Sequence, residues 1–157
     1  MKESGEFTPE TAHRWRNLSS FAARCLRAEV LGPWVHLMDA LRDALEEDPG
    51  IEQDLVRAEC KIVVASDWIV HAAKRLVQWA QENIGYVDGT EDDTQRFERG
   101  ALYTGPPFVG LRRWGFWQTR FEELGKHTGL GKEAQEAALR AAETMKAMES
   151  RVANTLR

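Results

Sequence analysis

Apolar residues recur every three or four positions through most of this 157-residue chain, which is the spacing of an amphipathic helix. The longest such run predicts a central helix over about 51–83. Its main stripe comprises Ile51, Leu55, Ala58, Ile62, Ala65, Ile69, Ala72, Leu76 and Ala80. Between residues 60 and 73 the run is apolar on every side, which is typical of a helix buried all round. At roughly 50 Å this helix would be unusually long, so a bend before Cys60 stays open.

Two helices are predicted before the central one. Thr8 can cap the first and Pro9 can occupy its first turn. The predicted inner face of this helix comprises Trp15, Leu18, Ala22, Cys25 and Leu26. The second helix runs from Gly32-Pro33 to about Glu47 and closes at the turn sequence of residues 48–50. Its predicted outward residues are His36, Asp39, Asp43 and Glu46.

Two more helices are predicted after an irregular stretch over about 84–110, within which residues 94–99 are expected to form one short helical turn. The fourth helix follows Gly110, and its predicted inner face comprises Leu111, Trp114, Trp117, Phe121 and Leu124. The fifth starts near Gly131 and carries an apolar seam of Ala134, Ala138, Ala141, Met145, Met148 and Val152. The pattern as a whole predicts an all-α fold, a five-helix bundle-like single domain covering residues 1–157.

Composition and charge narrow the classes of function. With 43% hydrophobic and 29% charged residues, the chain suits one globular domain with a real core. A formal net charge of −4 does not favour a nucleic-acid surface or an anionic-membrane surface. Neither a signal peptide nor a stretch of about 20 uncharged apolar residues is recognisable, so the expected location is the cytoplasm. Cys25 and Cys60 lack a paired spacing and are expected to be free thiols.

One block of sequence carries a family resemblance. Residues 113–121 read Arg-Trp-Gly-Phe-Trp-Gln-Thr-Arg-Phe and follow a Tyr-Thr-Gly-Pro loop at residues 103–106. Together with Trp15, residues 21–24, 41–46, 68–69 and 141–145, this block resembles a family of fungal proteins known only as a domain of unknown function. The resemblance runs in order along nearly the whole chain and implies a helical fold and a fungal source. It implies no activity and no catalytic residues. This chain has Gly110 where the family tends to place a capping residue, which favours a looser start to the fourth helix.

Asp67 and His71 are the first candidates for chemistry. They lie four residues apart on the central helix and so share a face. A carboxylate that orients a histidine can move a proton, and Tyr103 on the Gly-Pro loop is a third candidate for that role. The alternative is an ordinary polar pair on a helix. No HExxH sequence or Cys/His cluster supplies further ligands, so neither a metal nor a cofactor is predicted.

Arg113, Trp117 and Arg120 form a second candidate group, because both arginines fall on one side of the indole at helical spacing. Stacking on the ring together with a carboxylate partner, Asp43 or Glu46, would make a structural clasp. An anion-binding site is the alternative. We expect the clasp.

Six tryptophans in a chain of this size suggest either a plain aromatic core or an apolar ligand pocket. The candidate pocket residues are Trp68, Trp79, Trp114, Trp117, Tyr103 and Phe108. Phe116 points away from the apolar face of its helix, which predicts a contact with the long loop or with a second subunit.

Two hypotheses of function follow. The first is a non-catalytic helical module that binds a partner chain, a second copy of itself in a homodimer, or a small apolar molecule. The alternative is a small cofactor-free enzyme, of the isomerase, cyclase or lyase type found in fungal secondary metabolism. It would shape its substrate with an aromatic pocket and move a proton with His71, Asp67 or Tyr103. Because no catalytic signature is present, the sequence favours the binding module.

Overall fold

The computed structural model describes residues 7–27, 34–82 and 98–155, and these residues form five helices. They are α1 (Pro9–Arg27), α2 (Trp34–Leu41, continued by a π-helical turn over Arg42–Glu46), α3 (Leu55–Glu82), α4 (Leu111–Gly125) and α5 (Lys132–Thr155). No strand is present in these ranges, so the predicted all-α bundle is confirmed. The helical turn predicted over 94–99 falls largely outside the described residues, as does the break at Gly32-Pro33.

The first helix begins where the sequence predicts, because the Thr8 hydroxyl accepts a hydrogen bond from the Thr11 N–H and Pro9 opens the helix. Its buried face differs from the prediction. Ala12, Ser19 and Ala23 are buried, whereas Leu18 is 67% exposed. The helix is therefore rotated by about one residue position relative to the predicted face, and an apolar side of α1 is left at the surface.

The second helix widens in its last turn. Residues 42–46 form the π-helical turn, which adds a residue to the helical repeat and changes the direction in which its side chains point. The outward position predicted for Glu46 is wrong, since its side chain is 0% exposed. The turn after this helix is as predicted. Gly50 has φ +81°, a value that favours glycine, and its N–H donates to an Asp48 carboxylate oxygen.

The central helix begins later than predicted and is not interrupted near Cys60. Asp54 caps its N-terminus by accepting a hydrogen bond from the Arg57 N–H, so residues 51–53 form a turn before it. From Leu55 the helix continues for 28 residues as one element. It packs against α1 and α5, and also against α2 and α4. Leu55 is 42% exposed, so the buried stripe starts at Ala58.

The last two helices match their predicted limits closely. Gly110 precedes α4 without a side-chain capping bond, as expected of glycine there. Trp114, Trp117, Phe121 and Leu124 are buried, but Leu111, in the first turn, is 58% exposed. The alanines of α5 at 134, 138 and 141 are fully buried and bring it close to its neighbours.

Candidate functional site

The most densely bonded polar group in the described residues is the carboxylate of Glu46, at the end of the π-helical turn. Arg113 of α4 donates to it from Nε at 2.6 Å and from Nη2 at 2.9 Å. The Trp117 indole N–H donates at 2.8 Å, and the Gly100 amide donates at 3.0 Å. Both Glu46 and Arg113 side chains are 0% exposed. A buried carboxylate is tolerated here because four hydrogen bonds satisfy its oxygens.

Backbone carbonyls of the same π-helical turn also bind the loop before α4 and α4 itself. The Glu46 carbonyl accepts a hydrogen bond from the Leu102 N–H, and the Leu45 carbonyl accepts one from Arg120 Nε. These carbonyls end the helix and would otherwise lack partners. A Cβ on Gly100 would stand 2.4 Å from the Glu46 carbonyl oxygen, so only glycine lets the loop approach this closely.

Tyr103 packs beside this group rather than over a groove. Its ring lies 5.2 Å from that of Phe116, and the Arg113 guanidinium stands 5.4 Å from its centroid. The phenol folds back over Gly105, where a Cβ would meet Tyr103 Oη at 2.2 Å. Burial raises the pKa of Tyr103, and Arg113 opposes that shift. Phe116 thus contacts the loop.

The sequence block that carries the family resemblance therefore accounts for a set of packing contacts. Arg113 and Trp117 bind Glu46, and the guanidinium lies 5.5 Å above the Trp117 ring. The Trp114 indole N–H donates to Glu149 of α5. We refer to Glu46, Gly100, Arg113 and Trp117 as the Glu46 cluster. Its polar groups bond one another, which leaves the guanidinium committed within the cluster rather than offered to an external anion.

Asp67 and His71 stay together on the side of α3 that faces α1 and α5. Both are half-buried. Burial raises the pKa of Asp67 above its usual range, and His71, Arg16, Arg140 and Arg24 each oppose that shift. The carboxylate is therefore less acidic than in water, and it lies among cations. Tyr103 contacts α4 instead and does not join this pair.

The thiol of Cys60 is buried and free. It donates to the Ala12 carbonyl at 3.7 Å, and burial raises its pKa to about 11, with Arg16 opposing the shift. A thiolate is the nucleophilic form, so a thiol with this pKa is unreactive near neutral pH. The side chain of Cys25 lies outside the described residues.

A groove between α1 and α2 is the site that the hydrophobic pattern did not reveal. It has a volume of about 380 Å³ and is floored by Val64 and Trp68 of α3. Its walls are Trp15, Leu18, Ser19 and Ala22 from α1, and His36, Asp39, Ala40 and Asp43 from α2 and the π-helical turn. The groove forms because α1 and α2 both pack on α3 while standing apart from each other. We call it the α1–α2 groove.

Three further grooves among the described residues have a different character. One of about 290 Å³ between α1, α3 and α5 is crossed by charged side chains, including Arg16, Glu59 and Glu133. One of about 430 Å³ lies between the C-terminal parts of α3 and α5, beside Val77 and Met148. The last, about 350 Å³, lies beside Pro49 and His127. Of the four, the α1–α2 groove is the one whose described lining includes tryptophan.

Of the residues singled out as pocket candidates, Trp68 lines the α1–α2 groove, although its side chain is almost fully covered. Trp114 and Trp117 lie in the core, while Trp79 and Phe108 are half-buried. Sequence reasoning missed Trp15, Leu18, Asp39 and Asp43 as groove residues. The signal for Trp15 and Leu18 is the surplus of apolar positions around α1, which extends beyond one face to Phe21.

No group of three or more His, Cys, Asp or Glu side chains suited to a metal ion occurs among the described residues. Within the same part of the chain, no helix is both long and apolar enough to cross a bilayer.

Both the Glu46 cluster and the α1–α2 groove fall within residues 1–121, the span matched by one family model. The chain belongs to the family described as "Protein of unknown function (DUF3632)". The match ends inside α4, so α5 lies beyond it. No curated protein and no solved structure matches the chain. This DUF3632 member must therefore be interpreted from its own geometry.

Proposed function

We propose that this protein is a non-catalytic helical module that binds a small apolar molecule in the α1–α2 groove. The observation that carries the proposal is the groove itself, with about 380 Å³ of space between Trp15, Trp68 and Val64. Ligand sites in proteins occupy about 300–1,000 Å³ and combine apolar walls with a few polar groups. This groove has both, at the lower end of that range.

The exposed apolar side chains of α1 also support the proposal. Leu18 lines the groove and is 67% exposed, and Phe21 one turn along is 58% exposed. Burying apolar surface releases about 25 cal/mol per Å², so an uncovered leucine beside a groove favours an apolar occupant. In a cytosolic protein Cys60 would stay a buried thiol and would not take part in binding.

A homodimer, or a complex with another protein, is the second candidate, and Leu18 with Phe21 is the observation that favours it. A stable interface buries about 800 Å² on each partner, much more than two side chains provide. Light scattering tests the homodimer: a dimer that becomes monomeric in Phe21→Arg supports it, and a monomeric parent protein at all concentrations removes it.

The enzyme alternative, of the isomerase, cyclase or lyase type, has less support. Its proton-transfer candidates Asp67, His71 and Tyr103 are absent from the described lining of all four grooves. An acid or base must come within hydrogen-bond reach of its substrate. Asp67 and His71 are half-buried, and Tyr103 packs against Phe116 and Arg113.

A neutral bicyclic compound, 2-naphthylmethanol, tests the main proposal by calorimetry. With about a dozen heavy atoms it should bind the parent protein with a Kd of about 0.1–1 mM. Ala22→Phe places a ring in the groove and should weaken binding about tenfold. Asn17→Phe adds the same ring to the opposite side of α1 and serves as the matched control. Equal affinity in both variants, or no saturation by about 5 mM, would contradict the proposal.

A further inference from the structure

The charges around the α1–α2 groove narrow the class of ligand that the proposed function assigns to it. Asp39 and Asp43 line the groove with side chains 49% and 40% exposed. Among the lining residues that the structure describes, neither Lys nor Arg occurs, and the third ionisable side chain is His36. A ligand seated there would face two carboxylates.

The nearby counter-charge is incomplete. Arg42 Nη2 lies 2.9 Å from an Asp39 oxygen, and Arg42 Nε lies 3.7 Å from an Asp43 oxygen. One guanidinium thus serves two carboxylates, so these three described side chains together carry a net charge of about −1. Arg42 is only 20% exposed and is not among the described lining residues, so it approaches the carboxylates from the protein side.

The apolar part of the groove adds a second feature that suits a cation. Trp15 and Trp68 both line it, and the face of an indole attracts a positive charge placed within about 6 Å. The protein uses such contacts elsewhere, with Arg57 placed 4.8 Å from the Phe7 centroid. Indoles and carboxylates together form a site that attracts an organic cation more than an anion.

We infer that the α1–α2 groove binds a small hydrophobic amine in its protonated form, with the apolar body against Trp15, Trp68 and Val64 and the ammonium group beside Asp39 and Asp43. This inference rests on the proposed function. A groove of about 380 Å³ fits a compact one- or two-ring amine. A docked helix would need anchor sites along two turns or more, which favours the smaller occupant.

Three compounds with the same ring system separate the inference from the proposed function: 2-naphthylmethanol, 2-naphthylmethylammonium and 2-naphthoate. At low ionic strength the ammonium compound should bind about fivefold more tightly than the alcohol, and the carboxylate more weakly than either. At 1 M salt the preference should shrink to about twofold or less, because the carboxylates are partly exposed. All three affinities are measured by calorimetry.

Variants that remove either the two carboxylates or the guanidinium make the test specific. The double variant Asp39→Asn/Asp43→Asn should remove the preference for the ammonium compound over the alcohol. Arg42→Gln should have the opposite effect and increase the preference, which a merely structural role of these residues would not produce. Glu52→Gln changes one exposed charge away from the groove and is the matched control.

The outcomes are distinguishable. If the alcohol binds and Ala22→Phe weakens it, but the ammonium compound shows no preference, the inference is wrong and the proposed function stands. If none of the three compounds binds in the groove, both are wrong. A preference that persists in the double variant also overturns the inference, since the cation would then be recognised elsewhere.

Discussion

The Glu46 cluster and the α1–α2 groove both include residues of α2 or its π-helical turn, but they differ in almost every respect. At the cluster, polar groups are buried and bond one another, with Glu46 and Arg113 at 0% exposure. At the groove, an apolar residue such as Leu18 is 67% exposed and two aspartates are half in water. The cluster therefore stabilises the packing of the fold, whereas the groove leaves apolar and charged side chains exposed to solvent. Function is therefore expected at the groove.

The contrast also bears on the most distinctive sequence block, whose residues make packing contacts. Arg113, Trp114, Phe116 and Trp117 each have a contact within the fold, with Glu46, Glu149 or Tyr103. A residue so committed stabilises the bundle and the loop before α4. Residues that are free to meet a ligand lie on α1 and α2, where the sequence carries no comparable motif.

Breaking the cluster should have the largest effect. Arg113→Met leaves the Glu46 carboxylate buried without its counter-charge and should lower the free energy of unfolding by about 3–5 kcal/mol. Urea denaturation measures this change. Arg112→Met, at the exposed neighbouring position, should cost less than about 0.5 kcal/mol. Equal losses in the two variants would contradict the role assigned to Arg113.

The second prediction concerns the close contact between Gly100 and the Glu46 backbone. Gly100→Ala places a methyl group 2.4 Å from the Glu46 carbonyl oxygen and should cost about 2–3 kcal/mol. Gly115→Ala meets nothing within 4 Å and should stabilise α4 by about 0.5–1 kcal/mol through helix propensity. The two glycines should thus differ in the sign of the change in melting temperature. A neutral Gly100→Ala would mean that the loop is not held against the π-helical turn.

Substituting Arg120, at the edge of the Glu46 cluster, should have a smaller effect on stability. Arg120→Met removes the hydrogen bond to the Leu45 carbonyl and should cost about 1.5 kcal/mol, or roughly 3–6 °C in melting temperature. Its exposed ion pair with Glu123 should contribute little, so Glu123→Gln should cost less than about 0.5 kcal/mol. An unchanged melting temperature in Arg120→Met would mean that Arg120 does not stabilise the fold.

At the groove, substitutions should alter binding and leave stability nearly unchanged. Leu18→Ala should change the free energy of unfolding by less than about 0.5 kcal/mol, because the side chain is mostly exposed. Leu37→Ala, fully buried on α2, should cost about 2–5 kcal/mol. Leu18→Ala should also weaken the binding of 2-naphthylmethanol, whereas Leu111→Ala, exposed on α4, should not. A large loss of stability in Leu18→Ala would mean that this side of α1 is core.

The smallest predicted effect concerns pH and Asp67, which belongs to neither region. Its pKa is raised from 3.8 by burial, so the unfolded chain releases this proton more readily than the folded one. As pH rises above 3.8, ionisation then favours unfolding, and this contribution is absent from Asp67→Asn. The stability difference between variant and parent should shift in favour of the variant between pH 3 and pH 7. A shift in the opposite direction would mean that the surrounding arginines outweigh burial.

The hydrophobic pattern alone predicted five helices, the order in which they occur and most of their ends. It succeeded where a cap or a glycine sets the boundary, as at Thr8 and Gly110. It was wrong about the start of α3, because the cap is Asp54 rather than a residue near Ile51. It was also wrong about the buried face of α1, since apolar residues occur around more of that helix than the core covers.

The two regions were predictable to different degrees for a physical reason. Helical spacing put Arg113 and Trp117 on one side of α4 and suggested a carboxylate partner. It could not place Glu46 inward, because a regular 3.6-residue repeat does not anticipate a π-helical turn. The groove depends on how far apart α1 and α2 stand on α3, a tertiary property that no single helix encodes. Asp39 was therefore assigned only to an outward face, and Asp43 to that face or to the predicted clasp.

Amide chemical shifts recorded by NMR during a titration with 2-naphthylmethanol test whether ligands bind in the α1–α2 groove. We predict saturable shifts concentrated in residues 12–23, 36–43 and 60–68, with residues 98–121 unchanged and with the response lost in Ala22→Phe. Saturable shifts centred on residues 98–121 would place binding at the Glu46 cluster and contradict the account. Shifts that grow without saturation across the whole surface would contradict it equally.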